Sequence, residues 1–151
     1  MKYFSYGMNT NRAQMAQRCP NAVSLGYATL PGYTFRFANH GDVIYDPNGT
    51  ADGVLWEITP DCLYSLDALE GYPTYYDREI VVVEFNGREE LAMTYYMVGD
   101  QPDALPSVGY LDMLHEGYTE HGVPTTQIHE ALEYINRYCT YPTGGSMLWE
   151  N

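Results

Sequence analysis

Positive charge is scarce in this chain of 151 residues: seven lysines and arginines face twenty aspartates and glutamates, for a formal net charge of -13. The seven cations are spread without a cluster, which excludes binding modes that work by neutralising phosphates, so neither nucleic acid nor an anionic membrane is an expected partner. Cysteine is also sparse. Cys19, Cys62 and Cys139 are odd in number, far apart and without CxxC spacing, which points away from a disulfide framework or a zinc site and toward thiols in a reducing compartment. The longest apolar stretches, such as Ile80 to Val83, are far too short to span a bilayer. The opening residues have no basic start or apolar middle, and the expectation is a cytoplasmic protein.

What the chain does have is a core-forming composition. Hydrophobic residues make up 45% and aromatic residues 15%, including sixteen tyrosines, which is not the make-up of a disordered segment. No repeat, low-complexity tract or linker divides it, and one domain over 1–151 is expected.

Local signals order the elements. Tyr3, Phe4 and Tyr6 read as a strand that Gly7 breaks, with Asn9 placed to cap the next segment. Asn11 to Arg18 suits a short helix stopped by Pro20. Ala22 to Thr29 and Tyr33 to Phe37 read as strands joined by a Pro31-Gly32 turn, and the Gly, Asp, Asn and Pro content of Asn39 to Thr50 predicts a loop. After a strand at Gly53 to Ile58, Thr59 and Pro60 form a helix start, Leu63, Leu66 and Leu69 keep helical spacing, and Gly71 offers the reversal. Asp77 to Phe85 and Glu89 to Val98 flank Asn86-Gly87, a pair suited to a type I′ hairpin. Pro106 to His121 and Thr126 to Cys139 have helical periodicity. The pattern is α+β, with consecutive strands favouring a closed, partly antiparallel sheet.

Two distant segments carry the chemistry. At Tyr6-Gly7-Met8-Asn9 the strand break exposes backbone N–H groups without internal partners, a cradle for an anion or developing oxyanion. At Leu66-Asp67-Ala68-Leu69-Glu70-Gly71-Tyr72-Pro73 a carboxylate ends a helix, unfavourably aligned with the helix dipole. The order of strand, YGMN turn, GVLWEIT strand, helix ending LDALEGYP, YYDREIVVV and MTYYMV strands, and a GVPTTQIHEALEYI tail resembles the gamma-glutamylcyclotransferase-like family. That resemblance implies a small mixed or antiparallel β-barrel with peripheral helices, acting without a cofactor to release 5-oxoproline from a γ-glutamyl amino acid, amine or peptide. Carried over by position, Glu70 is the catalytic base and Tyr6, Gly7, Met8 and Asn9 are the substrate loop.

Met8 stands where the family commonly has Ser, and Thr10 where it commonly has Leu, which leaves a backbone role intact and alters pocket width and polarity. A base working near neutral pH needs a raised pKa, expected here from burial among Tyr72 and Tyr75. Tyr95 is a candidate to reach substrate from its strand, against an ordinary place in the core. Arg78 reads as a strand arginine paired with an acid, and Arg36 and Asn39 as candidates for the pocket mouth or solvated positions. His115, His121 and His129 match no metal-ligand spacing, and helical phase scatters them; Cys62 has no histidine in a nucleophile pattern. A non-catalytic binding module keeping the same pocket is the alternative, and a homodimer stays open as an assembly.

Overall fold

The computed structural model describes residues 1–139, and the expected domain over 1–151 therefore includes residues 140–151, which lie outside the described residues. Among the described residues, five strands close into a barrel in the order β1 (Lys2–Ser5), β3 (His40–Glu57), β2 (Val23–Ala38), β4 (Tyr76–Phe85) and β5 (Arg88–Met97). All neighbours pair antiparallel except β1 and β5, which close the ring in parallel at Tyr3 and Met93. Four helices among the same residues surround it: α1 (Arg12–Arg18), α2 (Pro60–Glu70), α3 (Val108–His121) and α4 (Thr126–Tyr138). The architecture is the α+β barrel with peripheral helices that the element order implied.

The strands bury Phe4, Leu30, Phe37, Val54, Leu55 and Val83 completely, with the neighbours Val54 and Leu55 on opposite faces of β3. Burying such a side chain is worth about 1.5–3 kcal/mol. Leu66 of α2, Leu114 and Tyr118 of α3, and Ile128 and Ile135 of α4 are equally buried and fasten the helices to the barrel. One buried acid also links two strands that are not neighbours in the sheet. Asp42 accepts from the Met97 backbone N–H at 2.9 Å and from Arg36 Nε at 2.9 Å, tying β3 to β5 and neutralising its charge in place.

The largest departure from the local reading lies in β2 and β3. His40 to Thr50 is strand, not loop, and Pro31-Gly32 lies inside one long strand at an irregularity where the register shifts between Pro31 and Tyr33. Cross-strand pairs such as Tyr33 with Tyr45 and Phe35 with Val43 override the turn propensities. Asp46 itself accepts from Thr34 Oγ1 at 2.6 Å across the ladder. The reversal is confined to Asn39, which sits at φ 67° and lets Ala38 pair with His40. By contrast, Asn86 and Gly87 adopt positive φ at 51° and 76°, as the expected I′ hairpin requires.

Candidate active site

The end of β1 and the end of α2 meet at one end of the barrel. After Ser5 the chain turns at Tyr6-Gly7 into a short 3-10 turn, Met8–Thr10, whose carbonyl–amide pairs are Thr10 N–H to Gly7 O and Asn11 N–H to Met8 O, both 3.0 Å. Tyr118 donates to Tyr6 O at 2.6 Å and Ser5 Oγ to Asn9 O at 3.1 Å, so α3 and the strand end both brace the turn. Gly7 is there for space: a Cβ would lie 2.8 Å from the Tyr110 hydroxyl. Asn11, not Asn9, caps α1, accepting from Gln14 N–H at 3.1 Å. The expected capping role of Asn9 is therefore wrong, because its side chain is drawn inward to polar partners instead.

Those partners form the centre of the site. Asn9 is 4% exposed, and its Nδ2 donates to Tyr3 Oη at 3.0 Å and to Glu70 Oε1 at 3.2 Å, while its Oδ1 accepts from Arg18. The second guanidinium branch of Arg18 contacts Met8 Sδ at 3.3 Å. Glu70 is held by a helix built as its sequence indicated: Thr59 Oγ1 accepts from Cys62 N–H, Pro60 occupies the first turn, and Gly71 ends the helix at φ 65°, a left-handed conformation that disfavours other residues. Tyr72 N–H returns to Asp67 O at 3.0 Å and completes the cap.

Together these elements enclose a cavity of about 190 Å³ lined by Tyr6, Gly7, Met8, Asn9, Glu70 and Tyr95, all anticipated from the sequence, and also by Tyr3, Arg18, His40, Gly41, Leu69, Tyr75, Tyr76 and Tyr110. Burial lifts the Glu70 carboxyl from the usual range to about 7, against the opposing pull of Arg18 and the Asn9 hydrogen bond. Tyr75 lines the cavity beside it, whereas Tyr72 turns away under the Arg78 guanidinium, 4.3 Å from its ring centre. Burial also pushes the phenols of Tyr3, Tyr6, Tyr76 and Tyr110 upward, so they act near neutral pH as O–H groups.

Most tyrosine hydroxyls are committed to the protein. Tyr6 donates to Tyr95 O at 2.7 Å, Tyr76 to Gly41 O at 2.6 Å, and Tyr95 to Asp67 Oδ1 at 2.7 Å. Tyr95 thus presents its ring to the cavity while its proton goes to Asp67, which Arg78 Nε also reaches at 3.0 Å. Tyr3 and Tyr110 differ: the Tyr3 oxygen accepts from Asn9 Nδ2, the Tyr110 oxygen accepts from Gly41 N–H at 2.8 Å and faces the Met8 N–H, and neither proton has an acceptor among the described residues.

Arg36 and Asn39 do not line this cavity. Arg36 is spent on Asp42, on Asp103 at 3.1 Å and on Gln101 O at 2.7 Å, and it borders a separate hollow of about 560 Å³ beside α4. That hollow is larger, but the Asn9–Glu70 pair lies in the smaller cavity and not in it. His40 and Gly41, the residues after Asn39, line the smaller cavity instead, with His40 Nδ1 3.1 Å from the Tyr75 hydroxyl. His115 and His129 are not scattered: α3 and α4 bring their rings to 5.7 Å. No group of three or more His, Cys, Asp or Glu able to hold a metal occurs among the described residues. The Cys62 thiol is buried and takes part in no nucleophile arrangement with histidine among the described residues. Sequence reading missed Arg18, Tyr3 and Tyr110; Arg18 alone had a signal, as one of only seven cations lying nine residues past Asn9.

Comparison with known proteins bears on the fold and the family. The chain is 29% identical to the gamma-glutamylcyclotransferase of Bos taurus (81% of this chain, 72% of the relative) and 29% identical to that of Homo sapiens (88% and 77%). A solved structure titled gamma-glutamyl cyclotransferase superimposes with a TM-score of 0.79 at 25% identity, covering 87% of this chain and 86% of the other. The family model "Gamma-glutamyl cyclotransferase, AIG2-like" matches residues 3–117, a span that contains every residue lining the cavity. A match over that much of the sequence places the chain in the gamma-glutamyl cyclotransferase, AIG2-like family.

Proposed function

We propose that this protein releases 5-oxoproline from a γ-glutamyl amino acid, amine or peptide, with Glu70 serving in turn as base and acid. The observation that carries this reading is the Glu70 carboxyl: lifted to about 7, it can take a proton and return it near neutral pH. In the first step Glu70 removes a proton from the substrate's α-ammonium group. The freed amine attacks the γ-carbonyl carbon of the same molecule, closing a five-membered ring and leaving a tetrahedral oxyanion. Glu70 then gives its proton to the departing nitrogen, the oxyanion collapses and the C–N bond breaks, and the regenerated carboxylate takes the second hydrogen off the ring nitrogen and passes it to the released amine, which leaves as an ammonium ion beside 5-oxoproline. Electrons and protons balance between the substrate and one carboxyl, so the steps call on no cofactor.

The protein's task is chiefly geometric. Nucleophile and electrophile share one chain, and holding that chain folded can contribute roughly 7–11 kcal/mol to barrier lowering. The Tyr6-to-Asn9 turn and the tyrosine walls would fold the glutamyl chain, with the Tyr110 proton and turn N–H groups available to the oxyanion or the α-carboxylate. The Tyr95 ring supplies wall and not a donated proton, given its bond to Asp67. The test is a screen of γ-glutamyl compounds for 5-oxoproline release by mass spectrometry, with Glu70→Gln as control. Release by wild type and none by the variant supports the reading; equal release by both removes Glu70 from the chemistry.

A further inference from the structure

We infer that Arg18 is a positioning residue for this reaction: it holds the Asn9 amide with the nitrogen end toward Glu70 and keeps the base close to a cation without pairing the two directly. This rests on the reading of Glu70 as the base. An amide can sit in a pocket either way round, and with its oxygen toward a carboxylate it would repel the charge. Arg18 offers only donors, so it accepts the oxygen end alone. That choice leaves Nδ2 for Tyr3 at 3.0 Å and Glu70 at 3.2 Å.

Lys2, Arg36, Arg78, Arg88 and Arg137 each pair with a carboxylate. Among the described residues the side chains of Arg12 and Arg18 pair with none, and of these two Arg12 is exposed to solvent while Arg18 is half-buried at the cavity. Its nearest acid in the network lies one amide away. A direct ion pair would pull a carboxyl down by about 1–3 pKa units and anchor both oxygens in a fork, which disarms a base. Placing Asn9 between them keeps part of the attraction and leaves the second carboxyl oxygen uncommitted.

The other groups facing Glu70 leave Arg18 as the fixed positive charge at the centre. Tyr3 on β1, Tyr76 on β4, Tyr95 on β5 and Tyr110 on α3 are phenols lifted by burial and stay neutral, as are Tyr6 and Tyr75. His40 lies at the rim against Tyr75.

Arg18→Gln, Arg18→Lys and Asn9→Ala, singly and combined, test the inference by kinetics across pH, with circular dichroism to verify folding. In Arg18→Gln, kcat is expected to fall about 10- to 100-fold with KM little changed, the loss typical of a misplaced reacting group. Its acid limb should also move up by about one pH unit, because a nearby positive charge is gone. Arg18→Lys keeps the charge but not the fork: kcat should fall while the limb stays in place, and this variant decides the matter if Arg18→Gln does not fold. In an Asn9→Ala background, Arg18→Gln should add little, since the link is already cut. A rise in KM with kcat unchanged would overturn the inference and make Arg18 a substrate-carboxylate contact; fully additive losses would overturn it as well. NMR titration of the Glu70 side-chain carboxyl gives a readout without turnover: an upward move in Arg18→Gln supports the link even if no γ-glutamyl compound is cleaved, and an unmoved titration refutes it.

Discussion

Asn9 Nδ2 lies 3.2 Å from Glu70 Oε1, a hydrogen bond between residues 61 positions apart that joins the end of the first strand to the end of the second helix. The same amide nitrogen reaches Tyr3, and the oxygen end receives Arg18, so one buried side chain links strand, helix and cation. Substitutions around this link have separable consequences.

Glu70→Gln keeps the shape and the Asn9 contact but cannot exchange a proton. Turnover of γ-glutamyl substrates should fall by about 10²–10⁴-fold, the usual weight of a general acid–base group, with the far-ultraviolet spectrum unchanged. Measurement of 5-oxoproline release decides it, and wild-type rates in the variant would remove Glu70 from the chemistry.

The raised Glu70 value also has a signature in pH. The rate should decline as pH falls through about 7, where the base becomes protonated. Stability moves the other way. The folded value lies above the unfolded one, so the native state holds this proton more tightly; the stability it contributes is fully present below about 4.3 and is lost as pH rises through the folded value. Glu70→Gln, which never ionises, should therefore melt higher than wild type at pH 8, with the gap closing near pH 4. A gap independent of pH would show that the carboxyl is not strained by burial.

Space around the turn can be probed on α3. A Cβ at Gly117 would clash with Thr10 Oγ1 and lie 2.7 Å from Asn11 N, so Gly117→Ala must push the helix from the Met8–Thr10 turn. A loss of about 1–3 kcal/mol by urea unfolding is expected, with reduced turnover. Gly109→Ala, on the same helix with nothing within 4 Å, should instead gain about 0.5–1 kcal/mol from helix propensity.

Tyr95→Phe removes the proton given to Asp67 at 2.7 Å and leaves the ring that lines the cavity. Stability should fall by about 1.5–3 kcal/mol, as for a hydrogen bond to a charged group, while kcat changes far less than in Glu70→Gln. Thermal melts and steady-state kinetics on the same samples separate the two effects; a kcat loss as deep as that of Glu70→Gln would place the Tyr95 hydroxyl in the reaction itself.

Elements whose causes are local were legible from residue types alone. Thr59 and Pro60 start α2, Gly71 ends it, and Asn86-Gly87 turns the hairpin, because each preference is settled by φ and by hydrogen bonds within four residues. The order of those elements, with the YGMN and LDALEGYP segments, was enough to resemble the family. Long-range pairing decided the rest. Asn39 to Thr50 looks like loop in isolation, yet all of it after the bend at Asn39 becomes strand because β2 pairs with it on both sides of the register shift. Asn9 looks like a cap and becomes a bridge because closing the barrel brings Glu70 and Arg18 to its two ends. Glu70 as an acid at a helix end was visible in the chain, and its raised proton affinity was expected from the needs of a base; which groups exclude the water was decided by the fold, because β1, β4, β5 and α3 deliver tyrosines from far apart in sequence and Tyr72 turns away.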